Sequence, residues 1–302
     1  FTCLEVLTPA ADGKGCDNPS IAGAFTDQLA DTLAALGGRY RDVATVVNMN
    51  LPAGLVLPDG SPLPVALPGI PLSIDDMTIY LGVVDRDVIL ARSDVAAQPV
   101  PYTALCPTRA SGDGCRYQTV ASANLDVTVA PGFTVTVRVD FERGFVGADA
   151  MVGGVPYRLV NTHLETRLES NGPQARFIQS AQAAELLGSM PYIPTAPGQR
   201  TLVVGDMNSD PRDSVYPVPP GYPEILGVPP YQQFASLGGF TDVWTLRPGV
   251  GKGKGAPLVG FSCCQYADLS NHKSDLYERI DLIFSLAPPR KVFNARLLGE
   301  SV

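Results

Sequence analysis

Four short strings in this chain hold residues suited to hydrolytic chemistry, each where an apolar run stops. Leu159-Val160 runs into Asn161-Thr162-His163-Leu164-Glu165, and Leu202-Val203-Val204 into Gly205-Asp206-Met207-Asn208-Ser209-Asp210-Pro211. The others are Gly239-Phe240-Thr241-Asp242 and Glu278-Arg279-Ile280-Asp281. A buried strand delivers the loop that follows it rigidly, and a glycine there lets backbone approach a ligand closely. Asp206 and Asn208 are two positions apart, so both face one side of an extended segment. A carboxylate and an amide so placed suit a hard cation, or an attacking water and a phosphate oxygen. Each string alone has an ordinary structural reading. G-D-x-N also makes an Asx turn, His163 can be a satisfied core histidine, and Asp281 can be a cap or a partner of Arg279. Taken together and in this order, they point to hydrolysis.

The elements that must position these residues are mostly strands. Residues 24–36 put Phe25, Leu29, Leu33 and Leu36 on one helical face, ended by Gly37-Gly38. Strands are predicted at 40–48, 78–84, 88–91, 157–160, 201–204 and 279–284. Hairpins are predicted for 125–129 with 134–141 through Pro131-Gly132, and for 145–152 with 157–160 through Gly153-Gly154. Asn171-Gly172-Pro173 opens a helix to Leu186 with Phe177, Ala181, Ala184 and Leu186 inward, and a short helix is expected near 231–237. Prolines recur through 51–74, which reads as a long apolar insertion that covers the body or rims an apolar substrate site. Hairpin-linked strands with few helices favour a mixed or antiparallel α/β sandwich over a doubly wound parallel fold.

The 302 residues carry a net charge of −8, with 45% hydrophobic and 17% charged residues, which supplies a core and excludes global disorder. The acidic balance argues against nonspecific nucleic-acid binding but not against a metal site, where carboxylates are wanted. No run of 18 uncharged apolar residues predicts a transmembrane helix. Cys3 with Cys16 and Cys106 with Cys115 fall in turn-rich surroundings and are read as disulfides, so an extracytoplasmic, secreted location is expected. Cys263 and Cys264 are adjacent, either bridged or reduced. Without C-x-x-C and with two histidines, zinc is disfavoured. Gly251-Lys-Gly-Lys-Gly-Ala256 is not a dinucleotide fingerprint, and no G-x-S-x-G elbow is present.

VNTHLE at 160–165, VVGDMNSDP at 203–211, GFTD at 239–242 and RIDLIF at 279–284 resemble the endonuclease/exonuclease/phosphatase superfamily of DNase I-like proteins. DRDVILAR at 85–92 looks like a strand entering the same fold. The resemblance implies one domain over 1–302, a four-layered α/β sandwich of two packed mixed β-sheets flanked by helices. It also implies divalent-metal-dependent phosphoester hydrolysis, with Mg²⁺ as the usual ion and Mn²⁺ or Ca²⁺ as alternatives. Under it His163 hydrogen-bonds the scissile phosphate, and Asp206 orients or deprotonates water and contacts metal. Asn208 holds a phosphate oxygen or the water, Asp281 supports a later histidine, and Asp242 is catalytic or structural.

The chain departs from the family pattern at both ends. An early strand asparagine is missing, and Leu4-Glu5-Val6 stands where Q-E-V is expected, leaving Glu5 as metal ligand or as part of a peripheral disulfide loop. The final S-D-H is also missing, since His272 precedes Asp281. The expectation is a domain incomplete at both ends, with a non-catalytic secreted binding module on the same fold as the alternative. The substrate stays open between nucleic acid and a lipid phosphodiester of the sphingomyelinase type, and a monomer is expected. Arg143, Arg167 and Arg176 are read either as phosphate contacts or as surface salt bridges.

Overall fold

The computed structural model describes residues 28–51, 53–63, 70–74, 77–130, 133–167, 172–247, 260–264, 276–289 and 292, and the backbone of Thr2–Val6. The smaller sheet contains β1 (Thr2–Val6), β2 (Tyr40–Leu51), β3 (Ile70–Ile74) and β4 (Met77–Arg92). The larger contains β5 (Ala96–Pro99), β6 (Ala110–Ser111), β7 (Gly114–Arg116), β10 (Gly144–Val152), β11 (Val155–His163), β12 (Arg200–Asp206), β13 (Thr241–Asp242) and β14 (Asp281–Ser285). Between β7 and β10 in sequence, β8 (Ala121–Ala130) and β9 (Phe133–Phe141) form a separate two-stranded ribbon. Helix α1 is Gln28–Ala35 and α2 is Gly172–Ser189.

The expected α/β sandwich is present, but among the described strands only the larger sheet is mixed. Its β11–β12 pair is parallel, joined by the α2 crossover that parallel neighbours require. Every pairing in the smaller sheet is antiparallel. The sheets pack through Val43, Ala44 and Val46 of β2 against Val146 and Ala148 of β10. The other face of the large sheet meets α2 and the short helix at 230–237, with Val160, Val203, Ala183, Leu186, Phe234 and Phe284 in one core.

Several sequence expectations shift. The two strands expected at 78–84 and 88–91 are one strand, because Asp85, Arg86 and Asp87 pair in register with β2. The apolar insertion starts later: β2 runs to Leu51, and Leu51 and Leu55 pack on the ribbon residues Val127, Val137 and Val139. Residues 70–74 form β3 despite Pro71, which β3 tolerates because it pairs with β4 alone. The buried face of α2 is also rotated, carrying Ala175, Gln179, Gln182, Ala183 and Leu186. Two buried glutamines hide this face from any apolar count. Cys106 is bonded to Cys115, and Cys263 to Cys264. Cys3–Cys16, His272 and residues 24–27 lie outside the described side chains.

Candidate functional site

Strand register brings the scattered strings together. His163 ends β11 opposite Asp206, the last residue of β12, which in turn lies opposite Asp281, the first residue of β14. Residues opposite one another share a sheet face, so these three side chains project together. Their face is the inter-sheet one, since neighbouring Asn161 donates from Nδ2 to the Val88 carbonyl of β4 at 3.3 Å. Gly205 makes this approach possible: its φ is +139°, and a Cβ would overlap the Thr162 carbonyl oxygen.

Asp206 carries an Asx turn, its Oδ1 accepting the Asn208 amide N–H at 2.8 Å. Asn208 sits at φ +46° and donates from Nδ2 to the Leu164 carbonyl at 2.8 Å, tying the two site loops together. The buried glutamines of α2 complete the brace. Gln179 donates from Nε2 to the carbonyls of Asn208 at 2.6 Å and Glu165 at 2.9 Å. Gln182 accepts the Glu165 amide N–H at 2.8 Å.

The smaller sheet supplies residues that the sequence reading left without a role. Asn48 of β2 donates from Nδ2 to Asp87 at 3.0 Å, and Arg143 reaches Asp85 at 3.2 Å. Arg143 Nη1 also lies 3.1 Å from His163 Nδ1. A guanidinium only donates, so Nδ1 is the acceptor and Nε2 carries the proton. That Nε2 lies 3.7 Å from Asp206 Oδ2. The available signal was a charged Asp-Arg-Asp inside an otherwise apolar strand, where charge is costly without a purpose.

Burial, then the positive Arg143, pushes the His163 imidazole down to about 4, outweighing Asp85 and Asp281. Burial pushes the Asp206 carboxyl up to about 6; the Asn208 N–H and Arg143 oppose the rise, and the Asp281 charge adds to it. Asp87 is likewise pushed up to about 6, by burial and by Asp85, against the pull of Asn48, Arg143 and the His163 backbone N–H. Carboxylates thus gather at one end of the inter-sheet space with Arg143 as their cation, hard oxygens of the kind a divalent ion takes, but among the described residues no three ligand atoms of this cluster lie within 4.8 Å of one another. The sulfurs of Cys263 and Cys264 lie within 4.8 Å of one another and of a Glu278 oxygen, but a disulfide offers no thiolate.

Two expected residues stand apart. The Glu5 backbone in β1 lies opposite Tyr80, five positions before Asp85 on β4 and roughly 17 Å away along the strand. The structure does not bring it to the cluster. Asp242 is buried behind the site. It accepts from Arg279 Nη2 at 2.6 Å and Tyr231 OH at 3.1 Å through one oxygen, and from the Trp244 N–H at 3.0 Å through the other. Arg279 therefore pairs with Asp242 and not with Asp281, whose backbone N–H donates to Ser262 Oγ at 3.1 Å. A separate, mostly apolar cavity of about 750 Å³ lies at the opposite end of β11 and β12, beside Arg158 and Thr201.

No family model and no curated protein matches the chain. Among solved structures, it is similar to truncated Caenorhabditis elegans TDP2, at 14% identity and a TM-score of 0.39 over 88% of this chain and 69% of that one. It is similar to the Bacteroides thetaiotaomicron mannosyl-6-phosphatase Bt3783, at 17% identity and a TM-score of 0.40 over 85% of this chain and 66% of that one. A third is an endonuclease/exonuclease/phosphatase protein from Beutenbergia cavernae, at 15% identity and a TM-score of 0.33 over 85% of this chain and 49% of that one. The chain thus spans between 49% and 69% of the length of these structures. With TM-scores below 0.5, the assignment of chemistry rests on the residues themselves. In its four strand-end strings the chain resembles the DNase I-like endonuclease/exonuclease/phosphatase superfamily.

Proposed function

We propose that this chain is a divalent-metal-dependent phosphoester hydrolase, acting most naturally on a phosphodiester. The observation that carries the reading is the registered His163–Asp206–Asp281 row facing Asp85 and Asp87 across the inter-sheet space, with Arg143, just before β10, contacting both Asp85 and His163. Asp206 and Asp281 are the carboxylates that would hold the ion, with Mg²⁺ favoured by their hard oxygens and Mn²⁺ or Ca²⁺ as alternatives. Bound there, such an ion supplies charge neutralisation at the phosphate oxygens and a lowered pKa of water.

The chain's own residues supply the rest. His163 is neutral at pH 7 and holds its proton on Nε2, so it donates to a phosphate oxygen without needing to be charged. Asp206, ionised at neutral pH, orients the attacking water or accepts its proton. Asn208 keeps Asp206 oriented through its backbone N–H, and the second hydrogen on its Nδ2 is available to a phosphate oxygen or the water. Arg143 fixes the His163 tautomer and faces the developing negative charge. Phosphoryl transfer asks mainly for this kind of positioning and electrostatic stabilisation.

The Cys106–Cys115 bond supports an extracytoplasmic place of work. Among the described residues no helix is long and apolar enough to cross a membrane.

The test is hydrolysis of bis(p-nitrophenyl) phosphate with Mg²⁺ or Mn²⁺, using EDTA and His163→Ala as controls. Turnover should require the metal and fall at least about 100-fold in the variant. Turnover indifferent to EDTA sinks the metal-dependent reading, and a folded wild type with no turnover transfers the assignment to binding.

A further inference from the structure

Beside the strand-end cluster lies a second cavity of about 310 Å³ whose walls are the loops that carry the site. Arg167 follows His163 by four positions and Arg212 follows Asn208 by four, and both line it with Arg176, Gln179, Asp213 and Tyr216. Gln179 is the link between the two spaces, since it lines this cavity and its side-chain amide donates to the Asn208 carbonyl. On a chain of net charge −8, three guanidiniums converging on one small hollow run against the average surface.

The three arginines are not equivalent. Arg167 is held by Asp213 and by Glu278, the latter at 2.7 Å. Arg212 chelates Asp210 at 2.6 and 3.0 Å and packs over the Phe261 ring. Arg176 has no carboxylate partner among the described residues. Its guanidinium lies 5.7 Å from the centre of the Tyr216 ring, and that ring is pinned by hydroxyl bonds to Ser180 at 2.6 Å and to the Arg176 carbonyl at 2.7 Å. A guanidinium laid on an immobilised aromatic face keeps its donor edge free, and that edge fits two oxygens of a phosphate. The neighbouring pairs hold the walls, and Arg176 alone of the three keeps a guanidinium edge without a carboxylate among the described residues.

We infer that this cavity is a second anion subsite, taking a phosphate group of the substrate adjacent to the one attacked. Arg176 is its principal contact and Tyr216 its platform. The inference rests on the phosphoester reading above and narrows it to substrates carrying a second phosphate. A chain of phosphodiesters and a compact bisphosphate share this chemistry.

Calorimetric binding without metal separates the subsite from turnover. Thymidine 3′,5′-bisphosphate should bind the full chain about tenfold more tightly than thymidine 5′-phosphate, and more weakly as salt rises. The preference should vanish in Arg176→Ala and weaken in Arg176→Lys, which keeps the charge but not the planar two-donor edge. Tyr216→Phe keeps the ring and should retain it, so a general loss of folding is distinguishable from loss of the charge. Equal affinity for the two nucleotides in wild type, or a preference unchanged by Arg176→Ala, overturns the inference. Selective binding in a chain with no metal-dependent turnover leaves the subsite standing and sinks only the hydrolase reading.

Discussion

Asp242 offers the sharpest test of which motif residues hold the site up and which face substrate. Its side chain is 2% exposed and that of Arg279 is 3% exposed, so their 2.6 Å contact is a fully buried ion pair. The pair joins β13 to the segment leading into β14, directly behind Asp281. Asp242→Asn keeps the shape and one acceptor for Trp244 or Tyr231, but leaves the Arg279 charge buried without its counter-ion. Breaking a buried pair from one side costs about 3–5 kcal/mol, a large share of a typical total near 5–15 kcal/mol. Replacing both partners removes the uncompensated charge, so Asp242→Asn with Arg279→Met should recover at least about 2 kcal/mol relative to the sum of the single losses. Urea unfolding followed by tryptophan fluorescence suits the measurement, because the single tryptophan, Trp244, donates its backbone N–H to Asp242. A loss below about 1 kcal/mol in Asp242→Asn, or single losses that merely add in the double variant, refutes the structural assignment.

The raised Asp206 carboxyl makes a pH-dependent prediction. Its folded value near 6 exceeds the ordinary 3.8, so the stability it contributes is present below about pH 4 and lost as pH rises through 6. In EDTA, Asp206→Asn should therefore gain on wild type between pH 4 and 7.5, by at most about 3 kcal/mol, while turnover assayed with metal collapses. A stability difference that does not change with pH in paired urea titrations argues against the buried carboxylate. Gly205→Ala places a Cβ against the Thr162 carbonyl at a φ of +139°, so thermal unfolding should show a loss of at least about 2 kcal/mol. Replacing Cys106 and Cys115 together by alanine opens a loop of sequence separation 9 and should cost about 2–4 kcal/mol in chemical denaturation.

Much of the large sheet was legible because its strands are apolar runs bounded by turn residues. Gly153-Gly154 marks the β10–β11 hairpin, and Pro131 and Gly132 separate β8 from β9. Legibility failed where a residue's role comes from a distant partner. Gln179 and Gln182 look like the solvated side of α2, and they are buried because loop carbonyls and an amide from three other segments meet them there. Asp85 and Asp87 read as an interruption in a strand until β4 is laid against His163 and Arg143. Arg279 and Asp281 are two apart, yet only the fold separates them, one into a buried pair with Asp242 and the other onto the exposed site face.

By itself, then, the sequence determined the residue types and their local frames. It placed a histidine, two aspartates and an asparagine at the ends of strands, with a glycine where the backbone must come close. Tertiary structure decided which of them meet, which tautomer His163 holds, and which charges are raised, paired or left open to an anion. Local pattern follows from neighbours along the chain, whereas register, burial and electrostatic environment are set by segments that can lie more than a hundred residues away.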